Sequence, residues 1–298
     1  MIAWFVHFII SSLTIVTFHD AVILRHNAGD ERLLPPIDTL SLCHMYPHLQ
    51  TTKSVRVASF CFAYAIGLLV IRLASNKPGI HRYSVLYELT WLCNGALLFG
   101  GSFGLLTCRP NIATGFAVAV SIDQILWYVD VLGYAFNRLM GVKKKKMFPI
   151  GVCQYLVWKQ THWSAKITCT HHFWTIPLLI YAADGIRWQA YFMNTTTVAS
   201  YVLLSRWLTP FGLNSHAKKI QDDKVTSREY NMSSPLQFEK YMNVNLSHEL
   251  WQDIRIGILR RQADNQTTMV YLFRLIVWWQ MFNLLCFLLL RGFAGMMQ

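Results

Sequence analysis

Long apolar stretches separated by shorter polar segments run the length of this chain. A transmembrane helix needs about 20 predominantly apolar residues, and helices satisfy their own backbone hydrogen bonds in lipid. The pattern therefore predicts an all-α, polytopic transmembrane helix bundle of seven spans, forming a single membrane domain over residues 1–298. The predicted spans are Ile2–Phe18, Val57–Ile71, Val85–Leu106, Ile112–Phe136, Ile167–Ala183, Trp188–Leu208 and Met269–Leu290.

An eighth apolar segment, Met147–Trp158, is too short for a comfortable span and contains Pro149 and Gly151. If it does not cross, 19 lysines and arginines fall on one side of the membrane and 7 on the other, which fits the positive-inside rule. We therefore expect seven spans, with the N-terminus in the cytoplasm as the start of a first span or signal anchor. Three N-glycosylation sequons in the longest loop favour eight spans instead, at Asn231, Asn245 and Asn265.

That longest loop, residues 211–267, is the one sizeable polar segment of the chain. Its second half places apolar residues at helical spacing with arginines between them, which predicts a basic interfacial helix near 248–261. The apolar positions are Leu250, Trp251, Ile254, Ile258 and Leu259. A partner helix is the alternative role for this segment.

Composition agrees with a membrane protein. Only 14% of the residues are charged and 54% are hydrophobic, whereas soluble domains average about 25% charged residues. The net charge of +12 then reflects loop residues that set orientation and meet anionic headgroups, rather than a nucleic-acid surface. The run Lys143–Lys146 and the basic loop are the expected headgroup contacts.

Two acids, Asp123 and Asp130, lie inside the otherwise uncharged stretch Ile112–Phe136. An ionisable group at membrane depth costs about 2.5–3.5 kcal/mol on insertion scales, so a functional site is the default hypothesis. On a helix the two carboxylates share a face about 10 Å apart, too far to share one proton. Trp127 and Tyr134 lie on the same face and are predicted to bind substrate.

Other polar residues of the predicted spans are candidate partners for these acids. His171 and His172 are candidates for acid–base catalysis, although consecutive helical residues diverge by about 100° and should not both face one point. Glu88 is a further catalytic candidate, with stabilisation by a helix N-terminus as its alternative role. Asn94 is predicted to contact substrate or an aspartate, and Arg274 either to reach the interface or to pair with a buried carboxylate.

Metal and cofactor signals are weak. Histidines and carboxylates, with Glu88 included, could form a mixed zinc site, but HExxH and HxxxH are absent, and we predict no metal and assign no cofactor. The seven cysteines include no CxxC pair and are interpreted as small buried hydrophobes. A bridge between loop cysteines such as Cys43 and Cys108 is an option that nothing in the sequence supports. Nucleotide-binding and serine-hydrolase motifs are absent too.

Three fragments resemble a known family. The stretch WLCNGALL at Trp91–Leu98, the pair His171–His172 and the segment Asn243–Leu246 resemble YwaF-type multispan membrane proteins. Some relatives of those proteins act on lipid esters, so the resemblance implies a multispan fold and lipid-directed chemistry. It assigns no role to individual residues.

Together these features predict an integral membrane protein with an intramembrane acid and histidine site. The favoured function is an enzyme acting on a lipid or another hydrophobic substrate. One alternative is a proton- or cation-coupled transporter that uses the acids as ion sites. The other is a structural or assembly subunit whose buried acids join helices without chemistry.

Overall fold

The computed structural model describes residues 52–74, 85–141, 147–157, 161, 163–209, 244–248 and 268–296. Throughout these ranges every regular element is helical, which confirms the all-α class. The α-helices are α1 (Thr52–Ala74), α2 (Val85–Glu88), α3 (Leu92–Gly95), α4 (Pro110–Ala119), α5 (Ser121–Leu139), α6 (Trp163–Thr168), α7 (Thr175–Ala182), α8 (Trp188–Leu208) and α9 (Thr268–Met296). A π-helix covers Ala96–Gly104, and 3-10 helices cover Gln154–Val157, Cys169–Phe173 and Val244–Leu246.

Two of these helices, α1 and α9, are long and apolar enough to cross a membrane. The pair α4 and α5 makes a third if the two helices form one span. The chain therefore contains helices suited to membrane insertion, and the number of seven spans stays a prediction. The first predicted span, Ile2–Phe18, and the proposed interfacial helix near 248–261 lie outside the described residues, apart from His248.

The predicted span Ile112–Phe136 is not one straight helix. It bends by 48° between α4 and α5. At the break, the Ala119 carbonyl accepts hydrogen bonds from Trp279 Nε1 at 3.2 Å and Asn283 Nδ2 at 3.3 Å. Because α9 supplies these donors, the break leaves this buried acceptor satisfied.

Two further predicted spans are interrupted. Val85–Leu106 divides into α2, α3 and the π-helix, and Ile167–Ala183 divides into α6, a 3-10 helix and α7. π-helical turns are rare in proteins overall, and those that do occur are frequently found at functional sites. The 3-10 helix of the second of these spans carries His171 and His172, which the sequence predicts to be site residues.

The core is centred on α4, which packs against α8 and the π-helix. Gly115 allows the close approach, because a Cβ there would lie 2.6 Å from Met193 Cγ. Large apolar side chains such as Phe116 and Leu97 fill the interior. Other apolar side chains point outward from α1, α5 and α9, as a lipid-facing surface requires; they include Phe62, Val70, Leu132, Phe136, Phe273 and Leu289.

The segment Met147–Val157, most of the short apolar stretch, forms bends and a single 3-10 turn rather than a spanning helix. It packs tightly on α5 at Gly133, where a Cβ would lie 2.3 Å from Pro149 Cγ. Tyr134 stacks on Phe148 with ring centroids 4.7 Å apart. The segment is therefore a packed cover on α5.

Cysteine usage differs from the prediction at one position. Cys108, in the turn between the π-helix and α4, is disulfide-bonded, and its partner lies outside the described residues. The described cysteines that form no disulfide are Cys61, Cys93, Cys153, Cys169 and Cys286.

Replacement of Gly133 by alanine should displace Pro149 and loosen the cover segment. We expect a loss of about 1–3 kcal/mol in the free energy of unfolding, the usual cost of overpacking. The measurement is thermal or denaturant unfolding in nanodiscs. The matched control is Gly67→Ala on α1, where an added Cβ meets nothing within 4 Å, so stability should hold or rise by about 0.5–1 kcal/mol. Equal stability of both variants and the wild type would contradict this packing.

Candidate functional site

Cys93, His171 and His172 form a compact cluster inside the bundle. Their sulfur and imidazole nitrogen atoms all lie within 4.8 Å of one another. Cys93 comes from α3, whereas the histidines come from the 3-10 helix Cys169–Phe173. Sequence reasoning interpreted the cysteines as buried hydrophobes and so missed Cys93 as a site residue. The available signal was its position in the fragment WLCNGALL, between Glu88 and Asn94.

The two histidine rings point into the cluster together. They stack with centroids 4.3 Å apart and an interplanar angle of 29°. The expectation that consecutive histidines could not both face one point is therefore wrong, because their side chains lean toward each other from an irregular backbone.

Hydrogen bonding defines the reactive edge of these rings. His171 Nδ1 lies 2.5 Å from the Thr168 carbonyl, which can only accept, so Nδ1 carries the proton. Its Nε2 then has a free lone pair, and this atom is buried without a hydrogen-bond partner among the described residues. His172 Nδ1 is likewise buried and unpartnered in the described part of the chain. Such orphaned buried nitrogens are uncommon and call for a ligand, a substrate or chemistry.

The aromatic residues of α5 hold the histidine segment. Trp127 stacks on His172 at 5.6 Å and meets the edge of Phe173 at 4.6 Å. Tyr128 Oη donates hydrogen bonds to the carbonyls of His172 at 2.7 Å and Phe173 at 2.9 Å. Trp127 thus lies beside the cluster, and its role in substrate binding stays a prediction.

Two charged residues border the cluster. The Asp123 carboxylate lies within electrostatic range of Cys93 and makes no hydrogen bond to the described residues. Arg72 donates from Nε at 2.9 Å and Nη2 at 2.6 Å to Thr168 Oγ1, and its charge acts on Cys93 and both histidines. Sequence reasoning did not select Arg72 as a site residue, because its partner Thr168 lies 96 positions away in the chain.

Asp130 has different surroundings. It is fully buried, and its Oδ1 accepts from the backbone N–H groups of Ile150 at 2.7 Å and Gly151 at 3.0 Å. Its Oδ2 accepts from Gly151 and Cys153, each at 2.9 Å. The carboxylate therefore anchors the cover segment on α5. The alternative role for the buried acids placed their partners on neighbouring helices, whereas the partners of Asp130 are backbone amides of an irregular segment. A catalytic role for Asp130 stays a prediction.

A second thiol extends the cluster toward the cover segment. The Tyr155 hydroxyl and Cys169 Sγ form a hydrogen bond at 2.8 Å. Tyr155 belongs to the 3-10 turn that follows the Asp130 anchor. The Asp130 anchor, the 3-10 helix Gln154–Val157 and the 3-10 helix Cys169–Phe173 are thereby connected.

The remaining predicted site residues are dispersed. Asn94 is buried next to Cys93 on α3, and Tyr134 packs on the cover segment. Glu88 ends α2, and its side chain lies outside the described residues. Arg274 is exposed on α9 and forms no ion pair with any residue that the structure describes. The run Lys143–Lys146 lies outside the described residues.

A distant segment, Val244–His248, packs on the turn that leads into α3. Asn245 is 1% exposed and has φ 52°, a conformation that asparagine tolerates better than most residues. Its Oδ1 accepts from Leu92 N–H at 2.9 Å, while its Nδ2 donates to the Thr90 carbonyl at 2.8 Å and to Ser205 Oγ at 2.7 Å. The sequon at Asn245 is therefore closed in the folded protein.

His248 fixes the end of this segment. Its Nδ1 accepts from Arg206 Nη1 at 2.5 Å, and its Nε2 donates to the Thr209 carbonyl at 2.8 Å. Burial, followed by the adjacent Arg206 charge, lowers the pKa of His248 to about 4. The neutral ring is thus the form that holds the segment.

Residues Cys93, His171 and His172 have the donor types of a zinc site, with Cys93 in the place that the sequence gave to a carboxylate. The same atoms also suit a thiol nucleophile and its base. No known protein family, curated protein or solved structure matches this chain significantly.

Acidification should weaken the docking of Val244–His248. The pKa of His248 falls from its ordinary 6.5 to about 4 on docking, so between these values the undocked segment binds a proton that the docked one does not. Docking is then strongest above about pH 6.5 and declines as pH falls toward 4. Hydrogen exchange at the amides of Val244–Ser247, corrected for intrinsic rates, measures this. His248→Gln should remove the pH dependence; a wild-type segment equally protected at pH 7.5 and 5 would contradict the assignment.

Proposed function

We propose that this chain is a multi-pass membrane enzyme that transfers the acyl group of a lipid ester through a covalent intermediate on Cys93. The single observation behind the proposal is the convergence of the Cys93 thiol with unpartnered imidazole nitrogens of His171 and His172 inside the bundle. A nucleophile next to a base, with that base oriented by a third group, is the general arrangement of covalent catalysis, and the 4.8 Å spread of these atoms requires them to close to hydrogen-bond distance when substrate binds. Here the Thr168 carbonyl orients His171.

In the first half-reaction an imidazole nitrogen of the pair takes the proton from Cys93 Sγ. The thiolate attacks the ester carbonyl carbon and forms a carbon–sulfur bond. The bond from that carbon to the alcohol oxygen breaks, and the imidazolium returns its proton to the departing alcohol. The products are a thioester on Cys93 and a lyso-lipid.

In the second half-reaction the imidazole removes a proton from an acceptor hydroxyl, supplied by water or by another lipid. The acceptor oxygen attacks the thioester carbonyl, and the carbon–sulfur bond breaks. The thiolate recovers the proton from the imidazolium, which restores the enzyme. The acceptor decides between hydrolysis and transfer.

The surroundings of the cluster favour a lipid substrate. Outward-facing apolar side chains cover α1 and α5, the two helices that supply Arg72, Asp123 and Trp127. An acyl chain can therefore approach from the bilayer and meet aromatic side chains at the cluster. The fixed positive charge of Arg72 is suited to a phosphate headgroup or to the oxyanion formed at the carbonyl.

Seven spans are part of this proposal. In that topology Cys108 lies on the non-cytoplasmic side, where disulfides persist. Arg72, at the last turn of α1, lies toward the cytoplasm, in agreement with the positive-inside rule. The histidine cluster then opens near the cytoplasmic leaflet.

A zinc enzyme is the second candidate, because Cys93, His171 and His172 supply three ligands of types that zinc accepts. A transporter with two acid sites has less support, because backbone amides engage Asp130. A scaffold role also has less support, because it does not account for the unpartnered imidazole nitrogens of His171 and His172.

The test measures ester turnover by the full-length protein in nanodiscs, using a panel of phospholipids and acylglycerols and mass spectrometry of the products. We expect Cys93→Ser to reduce turnover at least about 100-fold, since serine is a poorer nucleophile with this base. His171→Gln should reduce it similarly. Cys286→Ser, another buried cysteine, is the matched control and should retain wild-type turnover.

Chelation separates the two candidates. Turnover that persists in 1,10-phenanthroline and requires Cys93 supports covalent catalysis. Turnover lost in the chelator and restored by Zn²⁺ supports the zinc enzyme and contradicts the thioester. Turnover that is unchanged in Cys93→Ser contradicts both.

A further inference from the structure

We infer that Asn245, remote in sequence and without contact to the reacting atoms, is a positioning residue for Cys93. The inference rests on the proposed role of Cys93. It comes from one geometric fact: the Asn245 side chain makes three hydrogen bonds at the turn that starts α3.

Backbone hydrogen bonds to the Trp91 carbonyl close the α3 turn. Trp91, the N-cap residue, precedes the helix in an extended conformation but adds no side-chain cap. Asn245 Oδ1 takes over that function by accepting the Leu92 N–H, the amide immediately before Cys93. A cap of this kind fixes where the first helical residues begin.

The other side of the Asn245 amide fixes the same turn to the body of the bundle. Nδ2 donates to the Thr90 carbonyl and to Ser205 Oγ on α8. Both ends of the short chain between Thr90 and Leu92 are therefore held by one side chain, and that side chain is tied to α8. A shift of this turn would move Cys93 relative to His171 and His172, which stand on a separate element.

The conformation of Asn245 shows that the contact is specific. Residues 245 and 246 both have positive φ, 52° and 54°, which only a few residue types adopt without cost. Tyr271 of α9 donates to the Leu246 carbonyl at 2.6 Å and His248 binds Arg206, so the strained pair is held from both sides. The segment therefore places the side-chain amide of Asn245 against the turn that precedes Cys93.

The test compares iodoacetamide alkylation of Cys93 across pH in the full-length protein in nanodiscs, with site-specific quantification by mass spectrometry. Asn245→Gly removes the amide and tolerates positive φ. We expect its alkylation rate near pH 7.5 to fall about tenfold, because the thiol no longer meets its base, and the deficit to shrink as the pH rises, because hydroxide can then take the place of that base.

Controls distinguish positioning from general stability. Asn283→Ala removes another buried asparagine, one that bonds Asn194 and the Ala119 carbonyl, and it should leave the Cys93 profile within about twofold of wild type. Ser205→Ala removes one of the three Asn245 bonds and should give an intermediate rate; it serves as the test if Asn245→Gly does not fold.

The outcomes separate the two proposals. A wild-type Cys93 that reacts no faster than Cys286 overturns the proposed function and this inference with it. A fast wild-type Cys93 whose pH profile is unchanged in Asn245→Gly and Ser205→Ala overturns the positioning role alone. Slower alkylation of Cys93 near pH 7.5 in both variants, with Asn283→Ala unaffected, supports the positioning role of Asn245.

Discussion

The carboxylate of Asp130 accepts hydrogen bonds from the backbone N–H groups of Ile150, Gly151 and Cys153, and the rest of the site depends on this anchor. An irregular segment cannot lie inside a membrane bundle unless its polar backbone finds partners. The charge of Asp130 meets that requirement and fixes the cover segment on α5. From this segment Tyr155 reaches Cys169, and on the same α5 face Trp127 stacks on His172. Asp130, which the sequence suggests as a catalytic group, therefore fixes the segment that lies along one side of the site.

The same accounting of buried polar groups locates the chemistry. The Ala119 carbonyl, freed by the helix break, is satisfied by α9, and Asn245 satisfies the turn before α3. The unpartnered nitrogens of His171 and His172 lie beside the Cys93 thiol. Other unpartnered buried atoms, such as those of Gln124 and Trp127, belong to groups that are poor bases and nucleophiles. Unpaired buried groups are costly unless function requires them. A thiol beside two imidazoles whose nitrogens have no hydrogen-bond partner among the described residues supports covalent chemistry at Cys93.

The sequence predicted well what depends on local periodicity. The helical class, the bounds of α8 and the shared inner face of Trp127 and Asp130 all follow from hydrophobic pattern. It did not predict features that depend on contacts between distant residues. Cys93 meets His171 only through tertiary packing, and Asn245 reaches Leu92 across 153 positions. The break after α4 likewise needs donors from α9. For the same reason Asp123 and Asp130, equivalent by spacing, have different surroundings: Asp123 lies within electrostatic range of Cys93, and Asp130 accepts hydrogen bonds from backbone amides.

The central claim is that Cys93 forms a covalent bond with an acyl group. The most direct measurement is peptide mass spectrometry of the full-length protein in nanodiscs, quenched with acid within seconds of adding a phospholipid whose acyl chain ends in an alkyne. The account predicts an acyl group on the Cys93 peptide that hydroxylamine releases, as expected for a thioester, and that accumulates when no acceptor is added. Turnover of that phospholipid with the label on another residue, or on none, would contradict it.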